Sequence, residues 1–175
     1  MAETEQIAWR GEWIVAKTCG KWEYVSRARN IRAAVIVPID ADEIVLIEQY
    51  RVPLGRQSLE LPAGLIGDDD SGPDEDPLAT ARRELEEETG YAASSWRNCG
   101  EFVSSPGLTS EGFTLLLASG LTRVGPGGGV EGEDITVRRV KRAHMGQVVA
   151  EARQRGLAID AKLLMLLGGG WLDDV

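Results

Sequence analysis

The segment DPLATARRELEEETG, residues 76–90, constrains this chain more than any other stretch. Its ends are marked. Asp76 suits an N-cap, Pro77 suits the first helical position, and Gly90 suits a left-handed stop. At about 100° per residue, Leu78, Ala81 and Leu85 share one face, which predicts a helix packed on a sheet. Its last turn carries Glu84, Glu86, Glu87 and Glu88. Acids there meet the negative pole of the helix dipole, an unfavourable place for them.

One reading of that turn is a solvated face laced by salt bridges. Arg82–Glu86 and Arg83–Glu87 have i, i+4 spacing, but with the cation first, the weaker order. Glu84 repels Glu87 and Glu88, at roughly 0.2–0.5 kcal/mol per pair, and surface ion pairs do not easily offset this. The other reading is a divalent cation, which reverses the sign of each of these interactions. Glu84, Glu87 and Glu88 have i, i+3, i+4 spacing and converge beside the apolar face, whereas Glu86 points elsewhere.

The flanking segments place this helix. Strands are expected over 12–18, 21–28, 32–39, 44–51, 58–64, 97–105, 112–120 and 135–140, from β-branched runs bounded by turn residues. Residues 65–76 and 124–134 read as polar loops, the second flexible and acidic. Two further helices are expected near 143–154 and 159–168. Strands, one helix, strands, then helices is not a regular β-α-β alternation, so the class is α/β with a mixed-sheet sandwich. Dinucleotide-binding glycines and a phosphate-binding P-loop are absent from the sequence. Residues 1–30 form a separable hairpin layer, and 31–175 the main domain.

A net charge of −9 argues against binding nucleic acid, which calls for a basic footprint. Cys19 and Cys99 form neither a disulfide framework nor a zinc site. No basic-then-apolar leader opens the sequence and no apolar run matches a bilayer, so a cytoplasmic location without membrane contact is expected. His144, the single histidine, reads as structural.

The string Arg83-Glu84-Leu85-Glu86-Glu87-Glu88-Thr89-Gly90-Tyr91 resembles the second half of the Nudix box. That pattern also asks for a glutamate eight residues before the arginine, and Glu75 is there. It asks for a glycine six residues earlier still, where this chain has Asp69. Gly64 is the nearest equivalent, which implies a five-residue insertion within 65–74. The resemblance implies a Nudix-type α/β/α sandwich with a mixed central sheet. It further implies that Glu84 and Glu88 bind Mg²⁺, with Mn²⁺ as the alternative ion. Glu87 would be a further ligand or supporting acid, the Ala63 carbonyl another ligand, and Arg83 would orient a box glutamate, with Glu75 as partner.

The segment "SSPGLTSE" (104–111) is similar to a loop of ADP-ribose pyrophosphatases, and Pro106 follows Gly90 by sixteen residues. A tight turn alone would also explain Pro-Gly. "KWEYVSR" (21–27) and "EQYRVP" (48–53) are similar to the same subfamily. The likeness implies adenine stacking on Trp22, with Glu23 and Arg27 nearby and Pro106, Gly107 and Leu108 over the substrate. Core packing or a dimer contact is the competing reading of Trp22; for Trp9, Trp13, Trp96 and Trp171 a core or interface role is expected. Arg51 would hold the diphosphate. "EGEDITV" (131–137) resembles the acidic loop that carries the water-activating glutamate, here Glu133 with Glu131 as runner-up; Gly127, Gly128 and Gly129 would let it close. The implied reaction converts ADP-ribose and water into AMP and ribose 5-phosphate, in a homodimer that exchanges N-terminal strands. GDP-mannose or a dinucleotide is the alternative substrate, and a non-catalytic ADP-ribose sensor the more distant alternative.

Overall fold

In the computed structural model, residues 3–67 and 75–167 are described. The expected insertion at 65–74 therefore lies largely outside the described residues. Strands β1 (Gln6–Arg10), β2 (Ile14–Cys19) and β3 (Trp22–Arg27) make a separate antiparallel sheet in the order β1-β2-β3. β1 was not anticipated. All five of its residues are exposed, so it lacks the one-sided burial that reveals a strand.

The main sheet is built on β4 (Arg32–Asp40) and β5 (Glu43–Arg51). It continues through β6 (Arg56–Glu60), β7 (Ala63–Ile66), β8 (Tyr91–Val103), β9 (Gly112–Arg123), β10 (Thr136–Lys141) and β11 (Ala158–Ile159). Its path is β11-β6-β5-β4-β9-β8, with β10 beside β5 and β7 beside β4. β4 and β9 run parallel, as do β11 and β6, and the other pairs are antiparallel, so the sheet is mixed. Period-two alternation along β4 sends Val35, Val37 and Ile39 to one face and Ala34 and Ile36 to the other. The first face packs on α2 (Met145–Gln154) through Met145 and Ala152. The second packs on α1 (Pro77–Glu84) through Ala81, with Leu85 just beyond it. The result is the expected α/β/α sandwich with an N-terminal layer.

Four boundaries differ from expectation. The 58–64 strand is two strands, because Pro62 has no N–H for the ladder and its carbonyl instead accepts from Ile36 N at 2.9 Å. β8 begins at Tyr91 rather than 97; Ala-Ala-Ser-Ser has weak strand propensity, and antiparallel pairing with β9 overrides it. The helix expected at 159–168 is β11, a 3₁₀ turn at Ala161–Leu163 and a short α3 (Leu164–Leu167). Pairing with β6 draws Ala158 and Ile159 into the sheet, and Asp160 then caps the turn by accepting from Lys162 N at 2.8 Å. Finally, α1 does not run unbroken to Thr89. It widens into a π turn over Leu85–Thr89.

Candidate active site

The N-terminus of α1 is as its sequence dictates: the Asp76 side chain accepts from Leu78 N at 3.0 Å, and Pro77 follows. The C-terminal end is held by tertiary contacts. Thr89 Oγ1 donates to the Leu85 carbonyl, and Gly90, at φ 74°, turns the chain away. Backbone amides from 124–129 then cover the carbonyl pole. Gly128 N donates to Glu88 O at 2.9 Å, Gly129 N to Glu87 O at 3.0 Å, and Val124 N and Gly125 N to Gly90 O at 2.9 and 3.1 Å. The glycine-rich segment, expected to be a flexible loop, is a backbone cap on the acidic helix. Gly127 shows why glycine is needed there, since a Cβ would lie 2.4 Å from the Thr89 carbonyl carbon.

The four glutamates separate by burial. Glu88 is 3% exposed, Glu84 is half-buried, Glu87 is 37% exposed along its side chain, and Glu86 is exposed. Ala63 N donates to Glu88 Oε2 at 3.0 Å, which joins β7 to the π turn and leaves the Ala63 carbonyl uncommitted to this bond. Gly64 lies so close that a Cβ there would fall 2.1 Å from the Glu84 carboxyl carbon. Burial pushes the Glu88 carboxyl up to about 9; the Ala63 N–H opposes this, and the charges of Glu84 and Glu133 add to it. Arg83 Nη1 bridges Glu84 Oε1 at 2.9 Å and Glu87 Oε2 at 3.5 Å. Glu75, its expected partner, accepts from Gly67 N at 3.1 Å. Glu133 Oε2 accepts from Val130 N at 3.0 Å, while Glu131 is exposed.

Among the described residues, no group of three or more acidic, histidine or cysteine side chains is arranged to hold a metal ion by itself. An open site suits Mg²⁺, which keeps several waters and takes only a few protein oxygens. The donor chemistry fits: Glu88 is buried beside two other carboxylates, an arrangement that a cation would relieve.

Next to Ala63 and Gly64 a cleft of about 320 Å³ opens, lined also by Arg27, Arg51, Glu60, Ser104, Glu111, Phe113 and Lys162. Arg51 makes a forked pair with Glu60, Nε to Oε1 at 2.9 Å and Nη2 to Oε2 at 2.8 Å. Burial pushes the Glu60 carboxyl up, but Arg51 outweighs this and holds it below the usual range. Arg27 Nε donates to Glu111 Oε1 at 2.5 Å. β3 and the 104–111 loop are laced together: Val25 N donates to Leu108 O at 2.9 Å, Ser110 N to Val25 O at 3.0 Å, and the Ser26 and Ser110 hydroxyls meet at 2.8 Å. Trp22, Pro106 and Gly107 line a second pocket with Cys19 and Tyr24. Leu108 and Glu23 are exposed near it in sequence and outside both linings.

Glu60, Glu111 and Lys162 were missed by the sequence reading. Glu60 had a signal, a charged residue inside the apolar run Leu59–Leu61. Lys162 had none, because only the β11–β6 pairing brings it to the cleft.

A mixed sheet between helices, with an acidic helix end beside a cationic cleft, defines the class of Nudix folds. The NUDIX domain model matches residues 29–117, just over half of the chain, and the protein belongs to that family. It is 41% identical over 92 residues to the ADP-ribose pyrophosphatase of Mycobacterium tuberculosis, covering 53% of this chain and 42% of that protein. It is 33% identical over 147 residues to the GDP-mannose pyrophosphatase of Cronobacter sakazakii, covering 79% and 71%. The fold is similar to the crystal structure of an ADP compounds hydrolase, with a TM-score of 0.71, 24% identity, and 95% and 91% of the two chains covered. The chain spans about half the length of the curated relatives that it matches at 40% identity or more.

Proposed function

We propose that the protein is a divalent-metal-dependent hydrolase of nucleoside diphosphate sugars, with ADP-ribose as substrate and AMP and ribose 5-phosphate as products. The observation that carries this is the junction at Ala63 and Gly64, where the half-buried carboxylate of Glu84 and the buried one of Glu88 adjoin a cleft bearing Arg27 and Arg51. Glu84, Glu88 and the Ala63 carbonyl would hold Mg²⁺ (or Mn²⁺), with Glu87 supporting. The ion supplies charge neutralisation on the diphosphate and a lowered pKa for water. Arg83 orients Glu84 and Glu87. Arg51 and Arg27 bind diphosphate oxygens, for which a planar guanidinium is well shaped. Glu133 takes the proton as water attacks phosphorus and the bridging P–O bond breaks. Trp22 stacks on the adenine beside Pro106 and Gly107, a contact worth ~1–3 kcal/mol. Glu23 and Leu108 flank that pocket in sequence.

The N-terminal sheet supports a homodimer: Ile7, Trp9, Ile14 and Trp22 on its strands, and Trp13 just before β2, are exposed large apolar side chains. No helix among the described residues is long and apolar enough to cross a membrane.

GDP-mannose is the second substrate reading, favoured by a relative that aligns over most of both chains. Phosphate release in a coupled phosphatase assay tests both, across ADP-ribose, GDP-mannose and dinucleotides, with Mg²⁺ and with chelator. Turnover should favour ADP-ribose and vanish with chelator. Faster turnover of GDP-mannose overturns the substrate, and no turnover of any compound overturns the enzyme. Light scattering of the eluted protein tests the dimer.

A further inference from the structure

The cleft has a wall from outside the matched family segment, which ends at residue 117. β11 pairs in parallel with β6, Ala158 with Ser58 and Ile159 with Leu59, and Asp160 N donates to Leu59 O at 3.1 Å. This delivers the 160–163 turn to the Glu60 end of β6. The Asp160 carboxylate caps the turn and pairs with Lys162 Nζ. Lys162 Nζ lies 5.8 Å from the centroid of the Phe113 ring. Asp160 and Lys162 thus stand beside the Arg51–Glu60 pair, close enough for their charges to act on it.

A recess of about 170 Å³ neighbours the cleft at Lys162, with lining residues in common. Its walls are Phe102, Val103, Phe113, Ala161 and Met165, and Ser104, Phe113 and Lys162 line both spaces. Phe102 and Phe113 stack at 5.7 Å, which fixes an aromatic wall. An apolar floor with few polar groups at its rim is the usual make-up of a small-ligand site. Lys162 is the cation at this mouth. Its ammonium carries three donors on a flexible stem, so Asp160 does not exhaust it.

We propose that Lys162 is a substrate-contacting, specificity-determining residue: its ammonium binds the phosphate that carries the non-nucleoside group, and the neighbouring recess receives that group. This rests on the nucleoside diphosphate sugar reading. Asp160 holds the ammonium in place when the cleft is empty and shares it with the phosphate when substrate enters. The apolar face of a sugar ring lies against Phe102, the exposed ring of the recess, and its hydroxyls meet Ser104 and Asp160.

Steady-state kinetics with ADP-ribose on wild type, Lys162→Met and Lys162→Arg test the proposal, with melting temperatures as a check on folding. Lys162→Met should raise KM roughly tenfold, the size of one lost charged hydrogen bond, with kcat within about twofold. Lys162→Arg should restore most of the affinity. An unchanged KM, or a fall in kcat alone, overturns the assignment. Calorimetric binding of ADP-ribose needs no turnover and separates the two readings. If wild type cleaves nothing but binds, the enzymatic reading fails and the Kd of Lys162→Met still decides; equal Kd values, or no binding by wild type, overturn the role of Lys162. Ala161→Leu, which narrows the recess and leaves Lys162 intact, should weaken ADP-ribose binding and spare ADP. An equal effect on both ligands overturns the recess.

Discussion

The Ala63 backbone amide donates to Glu88 Oε2 at 3.0 Å, joining a strand edge to a helix end across twenty-five residues. This bond points the buried carboxyl of Glu88 at the strand whose next residue, Gly64, touches Glu84. The site is therefore assembled across β7 and the π turn, and neither element holds it alone.

At neutral pH without metal, Glu88 is held protonated, since burial pushes it up to about 9. A glutamine imitates the neutral acid. Glu88→Gln should leave the metal-free melting temperature at pH 7 within about 2 °C of wild type. It should also lower turnover about 100-fold or more, the scale of one lost electrostatic partner of the reacting group. Glu86→Gln, on the exposed side, should leave turnover unchanged. Comparable losses in both variants would show that the glutamates are not divided by burial.

Gly64→Ala tests the close approach to Glu84. The new methyl would fall 2.1 Å from the Glu84 carboxyl carbon, so the side chain must swing away. Stability should change by less than about 1 kcal/mol, because Glu84 is a flexible chain that can move. Turnover should fall at least tenfold, as reacting groups tolerate little displacement. A variant that is as active as wild type would remove Glu84 from the site.

Gly127→Val tests the cap on the acidic helix. Its φ of 67° disfavours any β-branched residue, and the Cβ would meet the Thr89 carbonyl carbon at 2.4 Å. Left-handed strain alone costs about 1–2 kcal/mol, and the clash adds to it. Hydrogen exchange should report faster opening at Gly128 and Gly129, whose amides hold the Glu88 and Glu87 carbonyls. Mg²⁺ should slow exchange over 84–90 in wild type; equal protection with and without the ion would count against a metal at this turn.

Glu48 makes part of the stability depend on pH. It is buried on β5 and accepts from Arg155 at 2.7 and 2.8 Å and from Arg138 at 3.1 and 3.3 Å. Arg155, opposed by burial and helped by Arg138, holds the carboxyl below its usual range. With its folded pKa depressed, its stabilisation is present above the unfolded value of about 4.3 and lost as pH falls through the folded one. Glu48→Gln should cost about 1.5–3 kcal/mol at pH 7 and much less at pH 3, read from denaturant midpoints. An equal loss at both pH values would place the effect in packing instead.

Much of the fold was legible because its signals are local. β-branched, apolar runs over 32–39 and 44–51 marked strands buried on both faces, and Asp76, Pro77 and Gly90 bounded the acidic helix. The division of Glu84, Glu87 and Glu88 from Glu86 also followed from helical spacing, although the π turn shifted its geometry. β1 escaped because an all-exposed strand has no burial pattern, and Pro62 divided a run that composition alone leaves whole.

The sequence by itself determined the class of fold, the acidic turn and the chemistry it suits, since period, capping and charge spacing act over a few residues. Only the tertiary structure decided which carboxyl is buried, what caps the negative helix pole, and which cations share the cleft. Glu88 owes its environment to Ala63, the pole to Gly128 and Gly129, and the Lys162 position to the pairing of β11 with β6. These are contacts between segments far apart in the chain. Desolvation and hydrogen bonding depend on such neighbours in space, and no local pattern encodes them.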